Sequence, residues 1–383
     1  MCAGEECYLK HIKYMRDSTY KTHTTDYVFI VVVLLLTIFG LVMLTSASSD
    51  LAKTKFGDSY YYLKHQIMYG LIPGIIGFFL AFFVPLKYWE KFALPLLIIG
   101  IIFLILVFIP SVGLEEKGAE RWLSFGFFSF QPGELMKFIF ILFLASWVSR
   151  KQARSKTITK GLLPFLLFLG VVLGLLVMQP STTIAVIIFL TSIIAYITAG
   201  AHIRFIIVTL ILAAVVFVGL ILVTPYRMER VKTFFDKSSD PLGATYHINQ
   251  AQQAIGSGQL DGVGFGKSTT KLKYLPEPIG DSIFAVIAEE FGFIGSMGVL
   301  LGFLIFLERG FMIARRSPDS FSKIITIGFV SLIGMQAFIN IGAISGLLPL
   351  TGVPLPFISY GGTALAVFLT MSGIIGNISG YRR

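Results

Sequence analysis

Four carboxylates punctuate the run YLPEPIGDSIFAVIAEE, residues 274–290. Asp281 stands where a stiff, proline-flanked polar segment gives way to apolar residues, and Glu289 and Glu290 stand inside the apolar run. A carboxylate at a membrane–water boundary can reach both water and a lipid headgroup, which suits a catalytic role. The same position also favours aspartate as a plain helix N-cap. A helix starting near Asp281 rises about 1.5 Å per residue, which puts Glu289 and Glu290 about 12–14 Å deeper. At roughly 100° per residue, Glu289 lies about 80° round from Asp281, and Glu290 lies on the opposite side. Ionisable groups at that depth are costly and mark candidate sites. A buried ion pair that only locks helices is the competing reading, and both glutamates read better as cavity supports than as chemical groups. Glu277, on the loop, reads as a shaping or substrate-side residue.

A second pair sits in QPGELMKF, where Glu134 and Lys137 are spaced i, i+3 and so share a helical face. Arg121 and Trp122 precede it beside an aromatic cluster, though an interfacial Trp can be a simple anchor. GVGFGKST, residues 262–269, imitates a phosphate loop, but Asp261 occupies the place of the first glycine and no strand precedes it. It reads as a glycine-rich surface turn, or as a turn packed near a lipid-linked phosphate. GLLPLTGVPLPFISYGG, residues 346–362, carries too many prolines and glycines for a plain hairpin and reads as a re-entrant wall lining a cavity.

The elements that must hold these groups are membrane helices. The chain has 383 residues, 55% of them hydrophobic and 14% charged, against roughly 25% charge in a soluble domain. Its apolar runs are continuous rather than alternating, which excludes a β-barrel and predicts an all-α polytopic bundle. Ten spans are predicted, at 27–48, 68–86, 91–110, 132–149, 161–178, 182–200, 203–223, 283–307, 323–346 and 359–380. Residues 1–26 form a polar tail and 381–383 a short end. Tyr27 onward reads as an uncleaved first span, not a signal peptide. Cys2 and Cys7 lie in the tail without a metal-ligand pattern.

Lys and Arg gather on the side of the tail, at Lys10, Lys13, Arg16, Lys21, Lys87, Lys91, Arg150, Lys151, Arg154, Lys156, Lys160, Arg204, Arg309, Arg315, Arg316, Lys323, Arg382 and Arg383. The opposite short loops hold Lys53, Lys55, Lys64, Lys117 and Arg121. Both termini are therefore expected in the cytoplasm, and the long loop 224–282 between spans seven and eight outside. The net charge of +10 follows from this topology and does not call for nucleic acid.

Five stretches taken in order resemble the SEDS family of bacterial cell-wall proteins, whose best-known members are FtsW and RodA. They are GLVMLTSAS (40–48), ERWLSFGFFSFQPGELMKF (120–138), the segment 226–269, LPEPIGDSIFAVIAEEFGFIGS (275–296) and LPLTGVPLPFISYGGT (348–363). YRMERVKTFFD and GKSTTKLKYLPEP look closer to FtsW than to RodA. The resemblance implies a peptidoglycan glycosyltransferase of the bacterial cytoplasmic membrane. It would polymerise lipid II at the outer face, in division or elongation, beside a class B penicillin-binding protein and other divisome or elongasome membrane proteins. It places the family's essential aspartate at Asp281. It implies substrate-side roles for Arg121, Trp122, Gln131, Glu134, Lys137, Lys267, Lys271, Glu277, Glu289 and Ser359. Two departures stand out: Gly280 and Ser282 flank Asp281 where the family usually has Thr and Phe, and Pro180-Ser181 replaces the usual Pro-Asp.

Such a reaction needs a base at the acceptor hydroxyl and positive charge at the departing pyrophosphate. Asp281 is the expected base. Lys137, Arg121, Lys267, Lys271 and Lys273 are the candidate cations, and a divalent Mg or Mn ion could share their task. Glu134 or Glu289 could orient Lys137 or help hold such an ion. Two rival readings remain, a lipid II flippase and a non-catalytic scaffold for the penicillin-binding protein. A flippase would need polar groups through the full depth of the bundle, whereas these concentrate in the outer half.

Overall fold

The computed structural model describes residues 21–22, 24–110, 113–116, 119–124, 126, 129–150, 155–224, 228, 244–272 and 274–382. Cys2, Cys7, Lys273 and much of the loop between 225 and 243 lie outside that set. Apolar runs become helices because lipid offers the backbone no other partner. In order they are α1 (Tyr27–Phe56), α2 (Tyr61–Phe83), α3 (Leu86–Leu106), α4 (Pro132–Ser149), α5 (Ile158–Met178), α6 (Thr182–Thr198) and α7 (Ile203–Val223), followed by the loop helix α8 (Ala244–Ser257). The last three are α9 (Ile283–Arg315), α10 (Ser320–Ile344) and α11 (Gly362–Ser379). Among the described residues nine helices are long and apolar enough to cross a membrane, and α6 is a shorter apolar helix of 17 residues.

The ten predicted spans are all present, with corrected ends. Helix α1 runs on to Phe56 and closes on left-handed Gly57. Helix α9 reaches Arg315, and α11 begins only at Gly362 because residues 349–361 form an irregular re-entrant segment. Two features went unpredicted. The loop between α7 and α9 contains α8, and the stretch before α4 folds as a small antiparallel sheet of β2 (Gly113–Glu116), β3 (Ala119–Ser124) and β4 (Ser129–Phe130). Near the termini, β1 (Lys21–Thr22) pairs with β5 (Tyr381–Arg382), and the Asp26 N–H donates to Ser379 Oγ at 3.1 Å, so both chain ends lie on one side of the bundle.

Helices α4, α10 and α11 form the centre, buried over most of their length, whereas α7 is largely lipid-facing beyond Thr209. Gly40 of α1 lets the re-entrant segment approach. A Cβ there would sit 2.5 Å from the Phe357 carbonyl oxygen.

Candidate active site

Asp281 sits in a turn just ahead of α9 and does not cap it. The N-cap is Ser282, which makes no side-chain capping bond. Three consecutive residues of that turn are each gripped by a different element. Ser359 of the re-entrant segment donates its hydroxyl to the Gly280 carbonyl at 2.6 Å and accepts the Leu355 N–H at 2.8 Å. Asn340 of α10 donates to the Asp281 carbonyl at 2.8 Å and to the Val353 carbonyl at 2.8 Å. Ser282 Oγ lies 2.6 Å from His247 Nε2 of α8 and donates to the Pro276 carbonyl at 2.8 Å. The turn also closes on itself, since the Glu277 carbonyl accepts N–H groups of Gly280 and Ser282 at 3.1 and 3.2 Å. Glu277 itself is exposed and left-handed, with φ +50°, a conformation a non-glycine residue adopts at some cost. Asp281 is half-buried, with left-handed Gly352 alongside. A Cβ on that glycine would lie 3.8 Å from Asp281 Oδ2.

Four residues before Asn340 on the same face of α10, Gln336 performs the matching task one helical turn away. Its amide donates to the Pro354 carbonyl at 2.8 Å and accepts from Lys137 Nζ at 2.5 Å. Lys137 is fully buried, 2.7 Å from Glu134 Oε2, with the Phe368 ring 5.0 Å from its ammonium. The expected i, i+3 pair therefore forms, and α10 connects it to the wall beside Asp281.

The deeper glutamates sit at a break in α9. Gly292, with φ +63° and ψ −156°, occupies backbone space that only glycine visits readily. The break opens the helical bonds from 293 to 289 and from 294 to 290. Loop residues enter the gap: Val263 and Gly264 N–H groups donate to the Glu289 and Glu290 carbonyls at 2.9 and 3.0 Å. In return, Phe293 and Ile294 N–H groups donate to the Gln259 and Leu260 carbonyls at 2.8 and 3.2 Å. Non-helical backbone is tolerated at membrane depth only when its polar groups are satisfied this way. The fit requires Gly258 and Gly262, where a Cβ would lie 1.9 and 2.2 Å from the carbonyl oxygens of Ala288 and Glu290.

The side chains complete the plug. Glu289 accepts from Ser268 Oγ at 2.5 Å, Thr269 N at 2.9 Å, Thr270 N at 3.4 Å and the hydroxyls of Thr269 and Thr270. Glu290 pairs with Lys271 at 2.6 Å, and Ser46 of α1 donates to its two oxygens at 2.6 and 2.8 Å. Lys271 Nζ also lies 2.9 Å from Ser46 Oγ and donates to the Gly266 carbonyl at 3.0 Å. The phosphate-loop look-alike is thus an anion nest whose anion is the chain's own Glu289.

A family model described as "Cell cycle protein", covering FtsW, RodA and SpoVE, matches residues 26–383. The chain belongs to that family. Stage V sporulation protein E of Bacillus subtilis is 38% identical over 365 residues, covering 95% of this chain and all of that protein. A probable peptidoglycan glycosyltransferase FtsW of Nitrosomonas europaea is 40% identical over 347 residues, covering 89% of each. Among solved structures, RodA of Thermus thermophilus superposes with a TM-score of 0.67 at 27% identity, over 93% of this chain and 96% of that one. A chain from work on "structural coordination of polymerization and crosslinking by a peptidoglycan synthase complex" reaches 0.75 at 26% identity, over 93% and 98%.

Against this family's expected site, the structure divides the candidate residues. Asp281 and Glu277 stay in the turn ahead of α9, and Lys267 is exposed on the loop. Four assignments are corrected. Ser359 is a backbone clamp, since its one hydroxyl proton goes to Gly280. Lys271 is buried, and its ammonium is shared by Glu290, Ser46 and Gly266. Glu289 is enclosed by the loop and does not orient Lys137, whose partners are Glu134 and Gln336. Lys137 is likewise sealed from any phosphate.

Arg121 reaches the carbonyls of Gln179 and Pro180 at 3.3 and 2.8 Å, bracing the α5–α6 turn, and Trp122 lies half-buried on β3. Gln131 precedes α4 and donates its backbone N–H to Thr363 at 3.3 Å, joining α4 to α11. Ser181 closes its hairpin through its own backbone, so that turn carries no carboxylate. Gln336, Asn340 and His247 went unnamed in the sequence reading. The two amides had left a signal, because polar residues spaced i, i+4 in an apolar span share one face.

Proposed function

We propose that this chain is a peptidoglycan glycosyltransferase that polymerises lipid II at the outer face of the bacterial cytoplasmic membrane. The observation that carries the reading is the Asp281 turn: a half-buried carboxylate at the outer mouth of α9, with the residues on either side clamped from three directions. Family membership and relatives named as probable peptidoglycan glycosyltransferases support it. The acceptor sugar hydroxyl attacks the anomeric carbon of the donor. The carbon–oxygen bond to the lipid pyrophosphate breaks, and the pyrophosphate leaves with the bonding electrons. Asp281 takes the hydroxyl proton, and holding its backbone fixes where the carboxylate meets that hydroxyl.

Exposed Lys267 is the loop cation placed to meet a phosphate, since Lys137 and Lys271 are committed internally. Among the described residues no three His, Cys, Asp or Glu side chains could hold a metal ion together. A Mg or Mn ion at this site would rest on Asp281 and the substrate's own phosphates, and it would supply neutralising charge there.

The partner in this reading is a class B penicillin-binding protein, supported by the structural likeness to a chain of a peptidoglycan synthase complex. Both termini are cytoplasmic, in keeping with their pairing on one side and the Lys and Arg distribution. The candidate charged groups concentrate in the outer half of the bundle rather than through its full depth, which favours an enzyme over a flippase. The test is lipid II polymerisation by purified protein, alone and with its penicillin-binding partner, with and without Mg or Mn. Asp281→Ala should abolish glycan product while expression and partner binding persist. Near-normal product from that variant would sink the assignment.

A further inference from the structure

We propose that His247 is a positioning residue for Asp281, a latch by which the outer-loop helix α8 sets the geometry of the catalytic turn. The inference rests on the glycosyltransferase reading above. Its basis is a proton count. Ser282 has one hydroxyl proton, and the Pro276 carbonyl at 2.8 Å can only accept, so that proton goes to Pro276. The 2.6 Å contact between His247 Nε2 and Ser282 Oγ then requires the imidazole to donate. Neutral His247 carrying its proton on Nε2 satisfies this, and so does the imidazolium. That nitrogen is thereby occupied in holding the turn and is not the base.

The placement gives the latch its reach. Ser282 follows Asp281 directly, is fully buried, and its N–H closes back on the Glu277 carbonyl at 3.2 Å. Displacing its side chain therefore shifts both ends of the Pro276–Ser282 turn, with Asp281 between them. The other two clamps, Asn340 and Ser359, come from the bundle and its re-entrant wall. His247 is the clamp contributed by the outer loop. Helix α8 has a second tie to the bundle that bypasses the turn, Gln252 Nε2 donating to the Ser345 carbonyl at 3.0 Å. The two ties separate seating of the helix from positioning of the carboxylate.

The experiment uses the full-length chain in liposomes, with initial rates measured against lipid II concentration. His247→Ala lowers kcat roughly ten- to hundredfold, with KM within about twofold, because a small misplacement of the base is felt in the chemical step. His247→Gln, which keeps an N–H donor, restores most of that loss. Ser282→Ala matches His247→Ala, and the double variant is no worse than either single one. Gln252→Ala, which loosens α8 without touching the turn, keeps kcat within about twofold.

Normal kcat in Ser282→Ala overturns the proposal even if His247→Ala fails to purify. Equal losses in His247→Ala and His247→Gln, or an equal loss in Gln252→Ala, overturn it as well. Asp281→Ala in the same assay separates the two levels: product from that variant defeats the glycosyltransferase assignment, whereas normal His247 and Ser282 variants beside a dead Asp281→Ala defeat only the latch.

Discussion

Helix α9 and the turn just ahead of it carry two acidic regions about two helical turns apart, and the protein treats them differently. At Glu289 and Glu290 it grips the side chains as well as the main chain, surrounding both carboxylates with hydroxyls, N–H groups and an ammonium. Around Asp281 it grips the turn that carries the carboxylate, through Ser359 on the Gly280 carbonyl, Asn340 on the Asp281 carbonyl and His247 on the Ser282 hydroxyl. A carboxylate whose oxygens are filled by internal donors is a structural tie, however well it resembles a catalytic acid in the sequence. A carboxylate carried on a clamped backbone is positioned to act on something else.

The contrast can be broken at several points. The largest effect is expected at the break itself. Gly292→Ala puts a Cβ 2.5 Å from the Gly262 nitrogen in a backbone region closed to alanine, and should abolish the folded, monodisperse species on size-exclusion chromatography. Next, Glu290→Gln strands the buried Lys271 ammonium and should cost about 3–5 kcal/mol. It should appear as a large drop in thermal midpoint in detergent, while molecules that remain folded polymerise at near-normal kcat. Adding Lys271→Met to that variant should recover much of the midpoint.

The Asp281 turn should show the reverse split. Asn340→Ala or Ser359→Ala removes hydrogen bonds worth about 1 kcal/mol in stability, yet should lower kcat by roughly tenfold. Equal stability losses in the two regions would erase the distinction. The smallest effect is expected for exposed Lys267→Ala, which should leave the midpoint unchanged. It should raise KM for lipid II by about two- to threefold, less so at high salt.

Much of this was readable before any coordinates. Ten apolar runs gave ten helices because lipid leaves no alternative, and the i, i+3 spacing of Glu134 and Lys137 was enough to pair them. Asp281 stood out by its position at a boundary. The plug was not readable. Nothing in the order of residues 258–272 says that they thread into a helix nine residues past Asp281, because that depends on close approach at Gly258, Gly262 and Gly292. The loop lysines illustrate the same limit. Lys267 and Lys271 have the same charge and nearly the same address, yet one faces water and the other is sealed against Glu290. Ser359 misled for a related reason, since a hydroxyl in a family motif looks like a substrate contact until its proton is traced to Gly280.

The threaded break in α9 also constrains how the protein is made. The ribosome delivers the loop before the helix it will plug, so α9 enters the bilayer with two acidic groups before the loop donors are seated. Each such group opposes insertion at the centre of a helix by about 2.5–3.5 kcal/mol, and the long apolar stretch that follows must overcome this. Only afterwards can residues 258–272 fold back and take up the carboxylates and the opened carbonyls. Maturation of this enzyme therefore ends with the loop returning to membrane depth after α9 has inserted. A pulse-chase protease experiment on cells should find that loop cleavable in newly inserted chains and resistant once seated.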